Sequence, residues 1–321
     1  MFTGKDSRDI VSIKDFSIDD IAVFLEKTYD IKGNPEKYSG SLRNGRLARL
    51  FYEPSRRTYE SFGIAMTRLG GEAETGFRTP KGTSVEKGES IKSNIRMCEQ
   101  YGATVIVIRH PRDGSARYAA DITELPVING GDGHNEHPTQ NLMDLFTIHE
   151  KQGRLDNLKI LFFNDLRFGR ATRLVYPLSL YENNVFYFLS HPYVKTPGNI
   201  KEFLNKKGAK YREFFDPGDL PDILHEVDVA YGSRTQEERF PQTEEGREML
   251  MEVRDYIVLS KEIIQKAEPK RNLIIMHPLP KDREHPCILD DVEETNYCHY
   301  NKQAGNGIPA RQAMLYLIHF D

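Results

Sequence analysis

The 321 residues carry 44 Lys and Arg against 48 Asp and Glu, a formal net charge of −4 that disfavours a nucleic-acid binder built on a general basic field. Hydrophobic residues at 38% and aromatics at 10% are too abundant for a disordered chain, and no apolar run approaches the ~20 residues of a bilayer span. The length matches two domains of ordinary size, each with its own core.

The amino terminus has no basic region leading into an apolar stretch, so we expect no signal peptide and a cytoplasmic address. A helix is predicted to start after Ser17, with Asp20 three residues on and Ile21, Phe24 and Leu25 on its apolar stripe. The segment 51–62 runs from a strand through Pro54 into a helix starting near Ser55; Phe62, Ala65 and Leu69 carry its apolar face before Gly70 and Gly71 stop it. Strand-length apolar runs follow at 104–108, 126–129, 158–163, 185–189, 227–231 and 273–276. Their continuous Val, Ile and Phe content fits parallel strands buried on both faces, with helices between them, and so an α/β fold. Helices are predicted over 141–152 and 199–207, and Pro177, inside the helical pattern of 169–181, predicts a kink or an early end.

The polar stretch 150–157 reads as a domain junction centred near Gly153. Gly130, Gly131 and Gly133 lack the spacing of a dinucleotide-binding loop. Cys98, Cys287 and Cys298 match neither a zinc site nor a disulfide framework and read as buried or incidental thiols. A last helix over 309–319 presents Ile308, Ala310, Ala313, Met314, Leu317 and Ile318 on one face, which predicts that it packs back on the first domain.

The helix start at Ser55 is a natural anion site, because unpaired N–H groups and the helix dipole converge there and Ser55, Arg57 and Thr58 add donors. Taken alone, the same segment is equally an ordinary N-cap with solvated arginines. It does not stand alone. Arg109 follows a buried strand, His137 to Gln140 precede a helix, Asp165 to Arg170 lie between a strand and a helix, and Arg234 to Gln236 and His277 to Pro280 follow two further strands. Strand ends of this kind are where parallel-sheet proteins bind ligands, so six of them are expected to converge on one crevice. Arginines gathered in one cleft repel each other unless an anionic ligand compensates them.

Phe51, Glu53, Ser55, Arg57 and Thr58, the run His137-Pro138-Thr139-Gln140, the run His277-Pro278-Leu279-Pro280 and the stretch from Gln303 to Gln312 occur in an order and spacing that resemble the aspartate and ornithine carbamoyltransferases, the aspartate enzymes in particular, over nearly the whole chain. The resemblance implies two α/β domains, each a parallel sheet flanked by helices: a carbamoyl-phosphate domain at 1–139, completed by a C-terminal helix at 304–321, and an aspartate domain at 154–295. It implies transfer of the carbamoyl group from carbamoyl phosphate to L-aspartate, giving N-carbamoyl-L-aspartate and phosphate for pyrimidine synthesis, with no metal or cofactor. By the family pattern Ser55, Arg57 and Thr58 bind phosphate, Arg109 reaches phosphate and carbonyl oxygen, Thr58 and His137 donate to that oxygen, and Gln140 and the Leu279 carbonyl accept from the carbamoyl nitrogen, beside Pro280. Arg170, Arg234 and Gln236 hold the aspartate, and Lys87 matches a loop lysine inserted into a neighbouring subunit's site, which implies a homotrimer with shared active sites. The stretches 129–140 and 152–157 are similar to those of bacterial catalytic chains that assemble with separate regulatory chains.

Two residues depart from the pattern. Arg56 stands where a small hydroxyl residue is usual beside the phosphate-binding serine, so it tightens binding, crowds it, or points to solvent; Glu86 precedes Lys87 and offers it a partner. An acceptor such as ornithine, or a non-catalytic homologue acting as a binding scaffold, are the alternatives to aspartate transfer.

Overall fold

The computed structural model describes residues 9–168 and 171–320. The chain divides into two compact units: one runs to Phe146 and takes up the chain again from Asn306, and the other is Thr147–Gly305.

The first unit opens with α1 (Ile18–Gly33), held by a capping box in which the Ser17 side chain accepts from Asp20 N–H and the Asp20 carboxylate accepts from Ser17 N–H, and continues through the short α2 (Pro35–Tyr38). Then strands and helices alternate: β1 (Arg46–Phe51), α3 (Arg56–Arg68), β2 (Glu72–Phe77), α4 (Ile91–Gln100), β3 (Val105–His110), α5 (Ser115–Asp121) and β4 (Val127–Asp132), with α6 (Pro138–Gln152) following. The four strands form one parallel sheet in the order β2-β1-β3-β4. Successive Val105, Ile106, Val107 and Ile108 are all buried, the signature of a strand covered on both faces. Because β1 and β3 are neighbours whose crossovers leave in different directions, their carboxyl ends form a switch point, where such sheets place ligands.

The second unit continues with β5 (Lys159–Asn164), α7 (Val175–Leu178), β6 (Val185–Leu189), α8 (Gly198–Lys207), β7 (Lys210–Phe214), α9 (Leu220–Glu226), β8 (Val229–Ser233), α10 (Glu244–Val253), α11 (Lys261–Ala267) and β9 (Ile274–Met276). Its sheet is also parallel, in the order β7-β6-β5-β8-β9. The helical pattern around Pro177 yields only a 3-10 turn and the four residues of α7, an early end of the kind proline imposes.

The last helix, α12 (Tyr300–Phe320), begins nine residues before the predicted start at Pro309, which sits inside it. Proline at a first helical turn is the commoner placement, and it misled the boundary. Its distal part belongs to the first unit, where Ala310, Ala313, Met314, Leu317 and Ile318 are buried, Asn306 accepts from Lys32 Nζ at 2.7 Å and His319 meets Thr104 at 3.1 Å. Among the described residues no helix is long and apolar enough to cross a membrane, and all three cysteines are free thiols, with Cys98 and Cys287 buried and Cys298 partly so.

Candidate active site

Parallel pairing sets the first unit's site. Phe51 lies opposite Arg109 in the β1–β3 register, and Tyr52 N–H donates to the Arg109 carbonyl at 2.8 Å, so the turn into α3 rises beside the end of β3. Ser55 is the N-cap of α3, yet its hydroxyl donates to Thr58 Oγ1 at 3.1 Å and makes no capping bond, which leaves the first-turn N–H groups open to an anion.

The Arg109 side chain is only 4% exposed. Its Nη1 donates to the Gly130 carbonyl at 3.1 Å, Nη2 is paired with Glu53, and Nε is buried without a partner. Beyond Gly130 the chain turns through Gly131 at φ +116°, where a Cβ would stand 2.7 Å from Arg109 Nη1 and 3.3 Å from His137 Cδ2; a Cβ on Gly130 would meet Thr58 Cγ2 at 3.6 Å. Thr58, Arg109 and His137 therefore gather around the two glycines. Asn129 holds this turn: its Oδ1 accepts from Gly131 N–H at 2.8 Å while its Nδ2 donates to Asp132 and to the Val11 carbonyl.

His137 is 2% exposed, with Nδ1 3.1 Å from Thr139 Oγ1. Gln140 donates through Nε2 to Asp144 at 2.9 Å, so Oε1, an acceptor, is the end of the amide that Asp144 does not engage. Arg57 is exposed on the first turn of α3. Arg56 is turned outward, 85% exposed, with Nε 3.2 Å from Glu60, so of the three outcomes its sequence position allows the structure adopts the solvent-facing one. Lys87 ends a 3-10 turn, Ser84–Lys87, closed by Gly88 in the left-handed region, and among the described residues its side chain joins no ion pair. Glu86 accepts from Gly82 N–H at 2.9 Å instead of pairing with Lys87.

In the second unit, the fully buried Asp165 accepts from Arg167 Nε at 3.2 Å and Nη2 at 3.0 Å and from Gln236 N–H at 3.1 Å, which fixes the turn after β8 to the end of β5. Arg234 Nη1 donates to Glu238 at 3.0 Å and to the Thr235 carbonyl at 3.1 Å, and Nη2 is paired with the same carboxylate. Hydrogen bonding to Glu238 raises the Arg234 pKa, which keeps a full positive charge at this strand end. Leu279 N–H donates to His277 Nδ1 at 2.9 Å in a turn with a cis Leu279–Pro280 bond, and His277 N–H donates to Gln303 Oε1 at 3.0 Å. Arg170 lies outside the described residues.

Sequence reasoning missed Glu53 and Asn129 as parts of this arrangement. The signal was present in Asn129, an amide that closes the apolar run 126–129 and must satisfy its polar atoms locally once buried.

Residues 8–150 match the model of the aspartate/ornithine carbamoyltransferase carbamoyl-P binding domain, and residues 156–318 match that of the Asp/Orn binding domain. The chain belongs to the aspartate/ornithine carbamoyltransferase family. It is 42% identical over 316 residues to the aspartate carbamoyltransferase catalytic subunit of Thermococcus onnurineus, covering 96% of each chain. Among solved structures it resembles the catalytic subunit of the Methanocaldococcus jannaschii aspartate transcarbamoylase, with TM-score 0.84 and 39% identity over 96% of this chain and 97% of that one. It also resembles the Trypanosoma cruzi aspartate transcarbamoylase in complex with N-(phosphonacetyl)-L-aspartic acid, with TM-score 0.87 and 27% identity over 98% and 96% of the two chains.

Proposed function

We propose that this chain transfers the carbamoyl group of carbamoyl phosphate to the amine of L-aspartate, releasing N-carbamoyl-L-aspartate and phosphate in the cytoplasm as an early step of pyrimidine synthesis. The observation that carries the reading is the gathering of Thr58, Arg109 and His137 around Gly130 and Gly131, beside a helix start whose N–H groups are uncapped. An oxyanion next to a phosphate needs such a set of donors.

In this reading the first unit binds carbamoyl phosphate. Ser55, Arg57, Thr58 and the α3 N–H groups take the phosphate, Arg109 spans phosphate and carbonyl oxygen, and Gln140 Oε1 accepts from the carbamoyl nitrogen. The second unit binds aspartate through Arg170, Arg234 and Gln236. The amine lone pair of aspartate forms the new C–N bond, the carbonyl oxygen gains charge under the donors Thr58, Arg109 and His137, and the C–O bond to phosphate then breaks. The leaving phosphate takes the amine proton. The protein's work is positioning and oxyanion stabilisation. Lys87, whose side chain joins no ion pair among the described residues, serves the site of an adjacent subunit in a homotrimer.

Incubation of the purified protein with carbamoyl phosphate and aspartate, with carbamoyl aspartate as the readout, tests the reading. Absence of product at millimolar substrates, or turnover of ornithine in place of aspartate, overturns it.

A further inference from the structure

Tyr59 lies one residue beyond Thr58 on α3, and two guanidinium groups stand over its ring. The Arg49 guanidinium sits 3.8 Å from the ring centroid, Arg78 sits at 4.9 Å, and Phe51 meets the ring edge-on at 5.1 Å. Arg49 reaches this place from the middle of β1. Its Nη1 donates to the Tyr59 carbonyl at 3.0 Å, its Nη2 is bonded to the Ala73 carbonyl of β2, and among the described residues no carboxylate meets it. A buried cation with no carboxylate partner is costly, and burial here lowers the Arg49 pKa. Room for it is made by Gly63, where a Cβ would collide with Arg49 Nη1, although glycine inside a helix is unfavourable relative to alanine.

Two features show what this arrangement holds. The α3 N-cap spends no side chain on the first-turn N–H groups, so the orientation of that turn must be fixed from elsewhere, and the Tyr59 carbonyl lies about 6 Å along the helix from Ser55 at 1.5 Å per residue. Arg78 follows directly on β2 and begins the segment that leads to Lys87; besides the Tyr59 ring it meets Glu60 at 3.9 Å.

We propose that Tyr59, whose ring takes cation–π contacts from both Arg49 and Arg78, is a positioning residue that ties the uncapped first turn of α3 to the root of the Lys87 loop, so that an anion seated on the turn also steadies the loop. The inference rests on the carbamoyl phosphate reading for its kinetic readout, and it holds whichever active site Lys87 serves. The clamp needs the π face of residue 59 and not its hydroxyl.

The test compares wild type with Tyr59→Phe, Tyr59→Leu and Arg78→Gln by steady-state kinetics and by trypsin cleavage after Lys81 and Lys87, with and without inorganic phosphate. Tyr59→Leu and Arg78→Gln should raise KM for carbamoyl phosphate by at least about fivefold with KM for aspartate little changed, and Tyr59→Phe should restore the wild-type value. Phosphate should slow loop cleavage in wild type and Tyr59→Phe and fail to do so in Tyr59→Leu. A folded Tyr59→Leu protein with wild-type KM and intact protection, or a Tyr59→Phe protein as impaired as Tyr59→Leu, overturns the inference. If Tyr59→Leu does not fold, the exposed Arg78→Gln change decides by the same two readouts. If wild type makes no carbamoyl aspartate the functional reading fails, while the protection assay, which needs no turnover, still decides the clamp.

Discussion

The guanidinium of Arg109 packs so closely on Gly131 that a single methyl group at that position would stand 2.7 Å from Nη1. Gly131→Ala is therefore expected to push Arg109 aside while straining a backbone at φ +116°. The strain is worth about 1–3 kcal/mol, and misplacing a catalytic group by even 1 Å costs on the order of 10²-fold in rate. Kinetics together with a thermal melt checks both halves. A variant with wild-type kcat would show that Arg109 is not held where the reaction needs it.

Removing a donor should hurt turnover more than folding. For Arg109→Met and His137→Ala we expect kcat to fall on the order of 10²–10³-fold. Arg109→Met also removes a nearly buried guanidinium and its ion pair with Glu53, so its melt should shift further than that of His137→Ala. Retention of more than about a tenth of wild-type kcat in either variant would remove that side chain from the proposed oxyanion site.

Arg56 gives the opposite expectation. With its side chain 85% exposed and engaged by Glu60, Arg56→Ala should change kcat and KM by no more than about twofold, because an exposed i,i+4 pair contributes only a few tenths of a kcal/mol. A large rise in KM for carbamoyl phosphate would mean that Arg56 swings onto the substrate.

The proposed sharing of sites in a homotrimer makes a mixing experiment decisive. Lys87→Ala and Arg109→Ala proteins should each be nearly inactive alone, and hybrid trimers should recover activity because some sites then receive both wild-type groups. No recovery in hybrids verified by mass would place Lys87 in its own chain's site or outside catalysis.

Burial depresses the pKa of His110, His149, His191 and His299 below the ordinary 6.5. In the window between the folded and unfolded values the unfolded chain binds more protons, so stability rises with pH there and is lost as pH falls below 6.5. Melting temperature should drop between pH 7.5 and 5.5, and His110→Asn should flatten the slope. A melting temperature that holds or rises on acidification contradicts this.

The parallel sheets were legible because buried strands such as Val105–His110 are nearly continuous apolar runs. The edge strands β2 and β7 went unread: Glu72, Glu74, Lys210 and Arg212 give them the polar look of loops, since an edge faces water on one side and charge there discourages further pairing. In β1, Arg49 breaks the apolar run in the middle of a strand that is buried from Leu47 to Phe51, and only a tertiary partner, the ring and carbonyl of Tyr59, explains why it is tolerated. At the site, Ser55 and Thr58 declared themselves through a helix start, which is local chemistry. The role of Gly131 as the surface on which Arg109 and His137 rest depends on a register between β3 and β4 that the chain does not spell out locally.

The first unit is assembled from both ends of the chain, with α12 supplying Ala310, Ala313, Met314 and Leu317 to its interior. On a ribosome that synthesises from the amino end, residues up to Phe146 emerge first yet lack these side chains, while Thr147–Gly305 is one continuous stretch of chain. The later-made unit can thus mature first, and the earlier one waits with an apolar flank uncovered until α12 has been translated. For a nascent chain, that interval is when a chaperone has most to cover.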